Sequence, residues 1–173
     1  MFRIFSILTT CRTGVALTVP LLLAVFAHAS NSPQADRIVV YKARRTMELY
    51  HNGHVIKTYK IALGPHSVGP KTRQGDHRTP EGRYRIDARN AHSKFHLSLH
   101  ISYPDPADRE RARKLGVSPG GDIMIHGVPD RFAYLGSLQA NYDWTDGCIA
   151  VSNSEIEEIW KLVPIGTEVE INP

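Results

Sequence analysis

The chain has 173 residues, a hydrophobic fraction of 42% and a formal net charge of +4 at pH 7. A chain of this length is long enough for one domain with a hydrophobic core. It contains no run of lysine or arginine with interleaved aromatic residues, so its small basic excess gives little support for a nucleic-acid partner. We therefore predict that it does not bind nucleic acid, whereas an anionic polymer is compatible with its charge.

The N-terminal 29 residues have the features of a secretory signal peptide. Arg3 and Arg12 provide positive charge, and Val15–Phe26 is almost wholly apolar. Residues 27–29 (Ala-His-Ala) match the small-residue pattern of a cleavage site, so cleavage is expected after residue 29. The apolar run is too short to span a bilayer comfortably. We predict an exported protein with no membrane span after cleavage; an uncleaved N-terminal anchor is the alternative.

Cleavage leaves 144 residues (173 − 29) with a formal charge of +2, because only Arg3 and Arg12 are lost. Residues 30–36 are polar and are predicted to be a flexible lead, followed by one domain over residues 37–173. An Asn-Gly pair at positions 52–53 lies between two strand-like runs and predicts a β-hairpin. The predicted strands are, in chain order, Arg37–Tyr41, Thr46–Tyr50, Val55–Leu63, Tyr84–Ala88, Phe95–Ser102, Asp122–His126 and Glu168–Ile171.

Two short helices are predicted among these strands. The first is the basic segment Pro106–Leu115. Before the second, Ser152 and Glu155 have the spacing of a capping box, and apolar residues then recur at helical spacing. Residues 64–81 and 128–144 are predicted to be long loops, where substrate specificity is expected to reside. The predicted fold class is therefore mostly β with two short helices.

Cys148 is the only cysteine that remains if the signal peptide, with Cys11, is removed. An exported chain with one cysteine forms no internal disulfide, so the thiol either pairs with another chain or reacts. His126 lies 22 positions upstream, at the end of an apolar run. A histidine within hydrogen-bond reach of a thiol can take its proton and later return it to a leaving group. The two residues are candidates for a nucleophile and its base; a buried structural cysteine beside an unrelated histidine is the alternative.

The glycines beside these two residues have plausible roles in acyl transfer. The histidine ring needs a group that orients it, and the carbonyl of Gly127 or of a neighbour is suitable. Gly147 allows the backbone to approach a substrate closely. The amides of Gly147 and Cys148 are candidate donors to the oxyanion that forms in an acyl-transfer transition state. Neither a metal nor a cofactor is predicted, because the sequence has no paired Cys/His ligand spacing.

The order His126-Gly127, 17 intervening residues and then Thr145-x-Gly147-Cys148 resembles the L,D-transpeptidase catalytic domain, also called YkuD-type. Two further segments are similar to family segments, residues 79–84 and residues 97–104. The resemblance implies a β-sandwich-like fold and cysteine acyl transfer on peptidoglycan stem peptides in the periplasm. It also implies Cys148 as nucleophile, His126 as base, the Gly127 carbonyl as orienter and a carbapenem as covalent inhibitor.

Two positions depart from the commonest form of the motif. Many family members have a histidine before the Gly-Cys pair, where this chain has Asp146. Many also have arginine or asparagine where this chain has Ala150. The form seen here resembles a proteobacterial class that is associated with 1–3 rather than 3–3 cross-links. Asp146 either binds a substrate amine or caps a turn.

Further residues are candidates for binding the substrate. His96, Ser98 and His100 share one face of the predicted strand Phe95–Ser102. This face either lines the donor-peptide groove or is exposed to solvent. An arginine in the second long loop is a candidate for gripping a carboxylate in place of the missing motif arginine. Aromatic residues in that loop form a groove wall or pack the loop. The predicted substrate-binding residues are His96, Ser98, His100, Arg131, Tyr142, Trp144, Thr145 and Asp146.

The implied reaction is acyl transfer from a tetrapeptide stem, with D-alanine leaving, to an amine of a second stem. Two alternatives stay open. With the same Cys/His site, water as the acceptor gives a carboxypeptidase or an enzyme that releases wall-linked lipoprotein. A vestigial site would leave a non-catalytic peptidoglycan-binding module.

Overall fold

The computed structural model describes residues 33–173, and within them the chain forms eight β-strands. Seven correspond to the predicted strands, with end points that differ by a few residues; the eighth, β7, is too short to show a periodic pattern. The strands are β1 (Arg37–Tyr41), β2 (Thr46–His51), β3 (His54–Lys60), β4 (Gly82–Ser93), β5 (His96–Ile101), β6 (Met124–His126), β7 (Ile149–Ala150) and β8 (Glu168–Asn172).

The strands are neighbours in the order β3-β2-β1-β8-β4-β5-β6-β7. The pairs β1–β8 and β6–β7 are parallel, and the other pairs are antiparallel. The two ends of this order meet, because Ala62 and Ala150 exchange two backbone hydrogen bonds of 2.9 Å. A long strand, β4, connects strands β3-β2-β1-β8 with strands β5-β6-β7, because it pairs with β8 at its start and with β5 farther along. The prediction of a mostly β fold is confirmed.

The hairpin between β2 and β3 turns at Asn52 and Gly53, as predicted. Both residues have positive φ, 49° and 79°. Positive φ at both central positions is the requirement of a type I′ turn, whose twist matches that of paired strands. Local sequence alone therefore determines this part of the fold.

The described residues contain two α-helices, α1 (Pro106–Lys114) and α2 (Asn153–Leu162), and a 3₁₀ segment over Asp130–Asn141. The capping box before α2 is confirmed: the Ser152 side chain accepts from the Glu155 amide, and the Glu155 side chain accepts from the Ser152 amide. The prediction of only two helices was incomplete, because the loop over 128–144 contains the 3₁₀ segment. Its turns lack a 3.6-residue apolar pattern, and Gly136 interrupts them with φ 50° and ψ −133°.

The first described residues already belong to the domain. Ala35 is buried, and its amide donates to the Leu162 carbonyl at 2.8 Å. The end of the expected lead, residues 30–36, is thus packed against the end of α2. The expected signal peptide, residues 1–29, lies outside the described residues. Within residues 33–173, no helix combines the length and apolarity needed to cross a membrane.

A buried lysine fixes the long loop over residues 64–81. Lys42 is 1% exposed, and its ammonium donates to Glu81 Oε1 at 2.7 Å and to the carbonyls of Gly69 at 2.7 Å and Thr79 at 3.0 Å. Burial lowers the pKa of Lys42, whereas Glu81 acts in the opposite direction. Because all three N–H groups have acceptors, Lys42 attaches the loop to the residue after β1 at Gly69 and again at its C-terminal end. This loop forms one side of the candidate site.

Candidate active site

Cys148 and His126 lie on the same face of adjacent strands. In the parallel pair β6–β7, Ile125 is opposite Ile149 and His126 is opposite Ala150. Since side chains alternate along a strand, Cys148, immediately before β7, shares the face of His126, while the two isoleucines point into the core. The side chains of Cys148 and His126 both line one cavity of about 560 Å³. The structure therefore brings the predicted nucleophile and base together.

The His126 ring is held in one orientation. Its Nδ1 lies 2.6 Å from the Gly127 carbonyl oxygen, so Nδ1–H donates and Nε2 is left as the basic nitrogen. The Phe95 ring lies 4.4 Å from the imidazole, centroid to centroid, and the Trp144 ring lies 5.7 Å away at an angle of 68°. Gly127 itself has no room for a side chain, because an added Cβ would be 2.5 Å from Asn153 Oδ1.

Burial makes the neutral forms of both groups the favoured ones. It raises the pKa of the Cys148 thiol, and the negative charges of Asp146 and Asp122 act in the same direction. It also lowers the pKa of His126, which is 2% exposed. The thiol donates to the Asp122 carbonyl at 3.5 Å. The resting pair is thus a neutral thiol beside a neutral imidazole, which suits general-base activation during attack.

These shifts predict the pH dependence of the site. Because the thiol pKa is raised, direct alkylation of Cys148 by iodoacetamide should increase with a midpoint above the ordinary cysteine value of about 8.5. Because the His126 pKa is lowered, base-assisted acylation should persist below the ordinary histidine value of about 6.5 and fall only at lower pH. Mass spectrometry of intact protein over a pH series measures both. An alkylation midpoint below the ordinary cysteine value would contradict a raised thiol pKa.

The loop before Cys148 is stabilised by Thr145. Its hydroxyl donates to the Cys148 carbonyl at 2.8 Å and accepts from the Gly147 amide at 3.2 Å, and its amide donates to the Leu63 carbonyl at 3.0 Å. The Gly147 amide is therefore already engaged, whereas no acceptor for the Cys148 amide is found among the described residues. Of the two expected oxyanion donors, the Cys148 amide is therefore the one with no acceptor among the described residues.

Asp143 attaches the same loop to the start of the domain, and sequence reasoning missed it. Arg45 Nε lies 3.0 and 3.1 Å from the two Asp143 carboxylate oxygens, and the Leu63 amide donates to Asp143 Oδ1 at 3.0 Å. A further guanidinium nitrogen of Arg45 reaches Asp143 Oδ2 at 2.5 Å. The partners are 98 positions apart, so no local pattern points to this clamp.

Asp146 contacts a histidine from the other long loop. His77 Nδ1 lies 2.8 Å from Asp146 Oδ1, and both residues line the cavity of Cys148. The Asp146 side chain is 92% exposed at the cavity rim. The carboxylate of Asp146 thus occupies the position where the commoner form of the motif has histidine, and the His77 side chain is paired with this carboxylate. Sequence reasoning did not select His77, because its partner is 69 positions away.

The other predicted substrate-binding residues have different positions. Trp144 and Thr145 line the cavity of Cys148. His96 instead contacts Glu157 at 2.8 Å and Asp130 at 3.2 Å, and His100 contacts Asp87 at 2.5 Å. Neither histidine is among the residues that line this cavity.

Ser98, on the same strand, is 1% exposed, and its hydroxyl has no hydrogen-bond partner among the described residues. It is opposite His126 in the β5–β6 pairing. Its side chain therefore shares the face of His126 and is buried beside it, so the alternative of a solvated strand face is wrong for this residue. Leu99 and Ile101, which alternate with Ser98 along β5, are fully buried on the opposite face.

Arg131 and Tyr142 line a second cavity of about 750 Å³ beside the 3₁₀ segment. The Arg131 guanidinium lies 4.8 Å from the centroid of the Phe132 ring. Phe95 and Trp144 separate this cavity from that of Cys148, because both residues line both cavities. Arg131 is thus placed away from the thiol. Within residues 33–173, no group of three or more histidine, cysteine or acidic side chains is arranged to hold a metal ion.

Comparison with known proteins identifies the family. The sequence model of the YkuD family, described as the L,D-transpeptidase catalytic domain, matches residues 35–171. The chain therefore belongs to the L,D-transpeptidase catalytic domain family. YafK of Escherichia coli (strain K12), a candidate L,D-transpeptidase, is 30% identical over 132 residues, which cover 73% of this chain and 46% of YafK.

Solved structures have the same fold. Pgp2 of Campylobacter jejuni, a helical cell shape determining protein, superposes with a TM-score of 0.61 at 24% identity, covering 80% of this chain and 48% of Pgp2. The L,D-transpeptidase LdtMt1, solved in complex with imipenem, gives a TM-score of 0.50 at 16% identity, covering 78% of this chain and 57% of LdtMt1. The predicted L,D-transpeptidase fold is confirmed. This chain spans about half the length of YafK and of Pgp2.

Proposed function

We propose that the protein is an exported, cysteine-dependent L,D-transpeptidase that acts on peptidoglycan stem peptides. The observation that carries this proposal is the shared cavity of Cys148 and His126, with the imidazole oriented by the Gly127 carbonyl at 2.6 Å. Membership of the family supplies the substrate class. The signal-like N-terminus supports action in the periplasm, where peptidoglycan is located.

In the first half of the reaction, the Cys148 proton moves to His126 Nε2 while sulfur attacks the carbonyl of diaminopimelate in a tetrapeptide stem. The carbon–nitrogen bond to the terminal D-alanine then breaks, and the D-alanine amine leaves with the proton from His126. The product is a thioester on Cys148. The absence of an acceptor for the Cys148 amide supports its role as donor to the oxyanion of this step.

In the second half, an amine of another stem gives a proton to His126 and attacks the thioester carbonyl. The carbon–sulfur bond breaks, the thiolate recovers the proton, and a cross-link of the 1–3 or 3–3 type remains. Water as the acceptor would instead release a shortened stem. Both halves pass through an oxyanion at the same position, so one donor set serves twice.

Two measurements test the proposal. A carbapenem such as imipenem should add its mass once to the intact protein and not at all to Cys148→Ala. Purified sacculi incubated with the protein should then yield new cross-linked muropeptide dimers, which Cys148→Ala should not form. Shortened monomers alone would assign hydrolysis instead of transfer. Sacculus binding by both proteins without any new product would identify a non-catalytic binding module.

A further inference from the structure

We propose that Lys71 binds the terminal carboxylate of the donor stem, so that the site selects peptides whose scissile bond is the last one. This inference rests on the proposed function and identifies a substrate contact within it. The residue was not singled out by the sequence. Its side chain comes from the loop over residues 64–81 and lines the cavity that contains Cys148 and His126.

Lys71 is a buried cation with unused hydrogen-bonding capacity. Its residue is 4% exposed, and its ammonium donates to Asp76 Oδ1 at 2.7 Å. An ammonium has three N–H donors, and no second acceptor for Lys71 is found among the described residues. A buried donor without an acceptor is costly unless a ligand or water satisfies it. The remaining donors therefore favour an anionic ligand in the cavity.

Asp76 is held by backbone amides of the loop as well as by Lys71. Asp76 Oδ2 accepts from the amides of Thr72 at 2.8 Å and Arg73 at 3.1 Å, and Oδ1 accepts from the Arg78 amide at 3.1 Å. Burial alone would raise the pKa of Asp76, but the bonds from Lys71 and these amides lower it to about 2. Asp76 thus remains a carboxylate, closes the turn through backbone donors and holds the Lys71 ammonium in place.

Charge is distributed unevenly around the thiol. The carboxylates of Asp122 and Asp146 are at the rim, with side chains 91% and 92% exposed, whereas Lys71 is inside. The largest influence on the pKa of Cys148 is burial, which raises it, and the positive charge of Lys71 acts in the opposite direction. Lys71 is therefore close enough to act electrostatically at the reacting sulfur. The cavity is therefore lined by one ammonium inside, which is paired with Asp76, and by two carboxylates at its rim.

A tetrapeptide stem matches this arrangement. In the proposed donor, the scissile carbonyl is followed by one D-alanine, so a carboxylate lies only a few bonds from the carbon that sulfur attacks. An ammonium near the thiol can pair with that carboxylate through charge-assisted hydrogen bonds. The arginine predicted for this task, Arg131, instead lines the second cavity. Lys71 is the only lysine or arginine among the described residues that line the cavity of Cys148.

The first test compares a tetrapeptide stem with its C-terminal amide, using thioester formation on Cys148 as the readout. Wild type should prefer the free acid by about 10- to 100-fold in kcat/KM. Lys71→Met should lose that preference because its kcat/KM falls for the free-acid peptide and not for the C-terminal amide. Lys71→Arg should retain much of the preference. Lys60→Met, on the exposed side of β3, is the matched control and should behave as wild type. Equal loss on both peptides, or no loss, would overturn the proposal.

The second test does not depend on peptide turnover. Iodoacetate and iodoacetamide alkylate the same thiol but differ in charge, so their rate ratio reports the cation. Lys71→Met should lower the iodoacetate-to-iodoacetamide ratio about 10-fold, and Lys60→Met should not. If wild type does not react with the peptides but Lys71→Met still lowers the alkylation ratio, the transpeptidase function is wrong and the anion site stands. If Lys71→Met leaves the alkylation ratio unchanged, the anion site is overturned. If Lys71→Met does not fold, the wild-type protein is compared with N-acetylcysteine instead. An iodoacetate-to-iodoacetamide rate ratio no higher than that of N-acetylcysteine would also overturn the anion site.

Discussion

Replacing His126 with glutamine should lower the rate of Cys148 acylation by about 10²- to 10⁴-fold, the usual contribution of a positioned general base. The loss is expected to be large because the thiol pKa is raised by burial, so little thiolate forms without a base. Glutamine keeps a polar side chain of similar length but cannot take the proton. Stopped-flow measurement of acylation by a carbapenem or a peptide thioester gives the rate directly.

His100→Gln is the matched control for this variant. His100 is on the neighbouring strand, opposite Met124; it contacts Asp87 and, at 3.9 Å, Asp122 at the rim, but it does not itself line the cavity. Cys148 in the His100→Gln variant should be acylated at the wild-type rate. If both variants lost activity equally, the effect would come from the sheet and not from proton transfer. An unchanged rate in His126→Gln would remove His126 from the mechanism.

Gly147→Ala is expected to have the second large effect, on stability and activity together. Gly147 has φ +112°, and an added Cβ would lie 2.3 Å from the Arg78 carbonyl oxygen. Such a backbone strain costs about 1–3 kcal/mol, and relieving the overlap costs about 1–3 kcal/mol more. Because the loop must move, the Cys148 thiol and amide are displaced, and we expect acylation to fall by at least about 100-fold.

Gly166→Ala separates strain from overlap. Gly166 also has positive φ, +94°, but nothing lies within 4 Å of its added Cβ. This variant should lose only the strain term, about 1–3 kcal/mol of unfolding free energy, and keep wild-type acylation. Urea unfolding and acylation rates of the two variants, measured side by side, make the comparison. Similar losses in both would show that close approach to Arg78 is not what requires glycine at position 147.

Short-range signals predicted the local structure of this protein well. The Asn52-Gly53 hairpin and the Ser152–Glu155 capping box depend on residues a few positions apart, and both are confirmed. Cys148 and His126 share a cavity, as their spacing suggested. The strand β7 was missed because two residues are too few to show alternation.

The residues that support the site could not be predicted in the same way. Lys42 and Glu81, Arg45 and Asp143, and His77 and Asp146 are pairs separated by 39, 98 and 69 positions. Their contacts depend on how the long loops pack against the turn after β1 and against each other, which no local periodicity encodes. Lys71 and Asp76 are close in sequence, but the burial that makes this pair notable follows from the tertiary fold.

The backbone bridge between Ala62 and Ala150 has a consequence for how the protein behaves among other copies of itself. Strand β7 is paired with β6 on one side, and the bridge occupies Ala150 on the other. A strand with unpaired N–H and C=O groups is a template on which another chain can add. The bridge closes that edge with two hydrogen bonds, so a second copy of the chain cannot add to the strand at Ala150, directly downstream of Cys148.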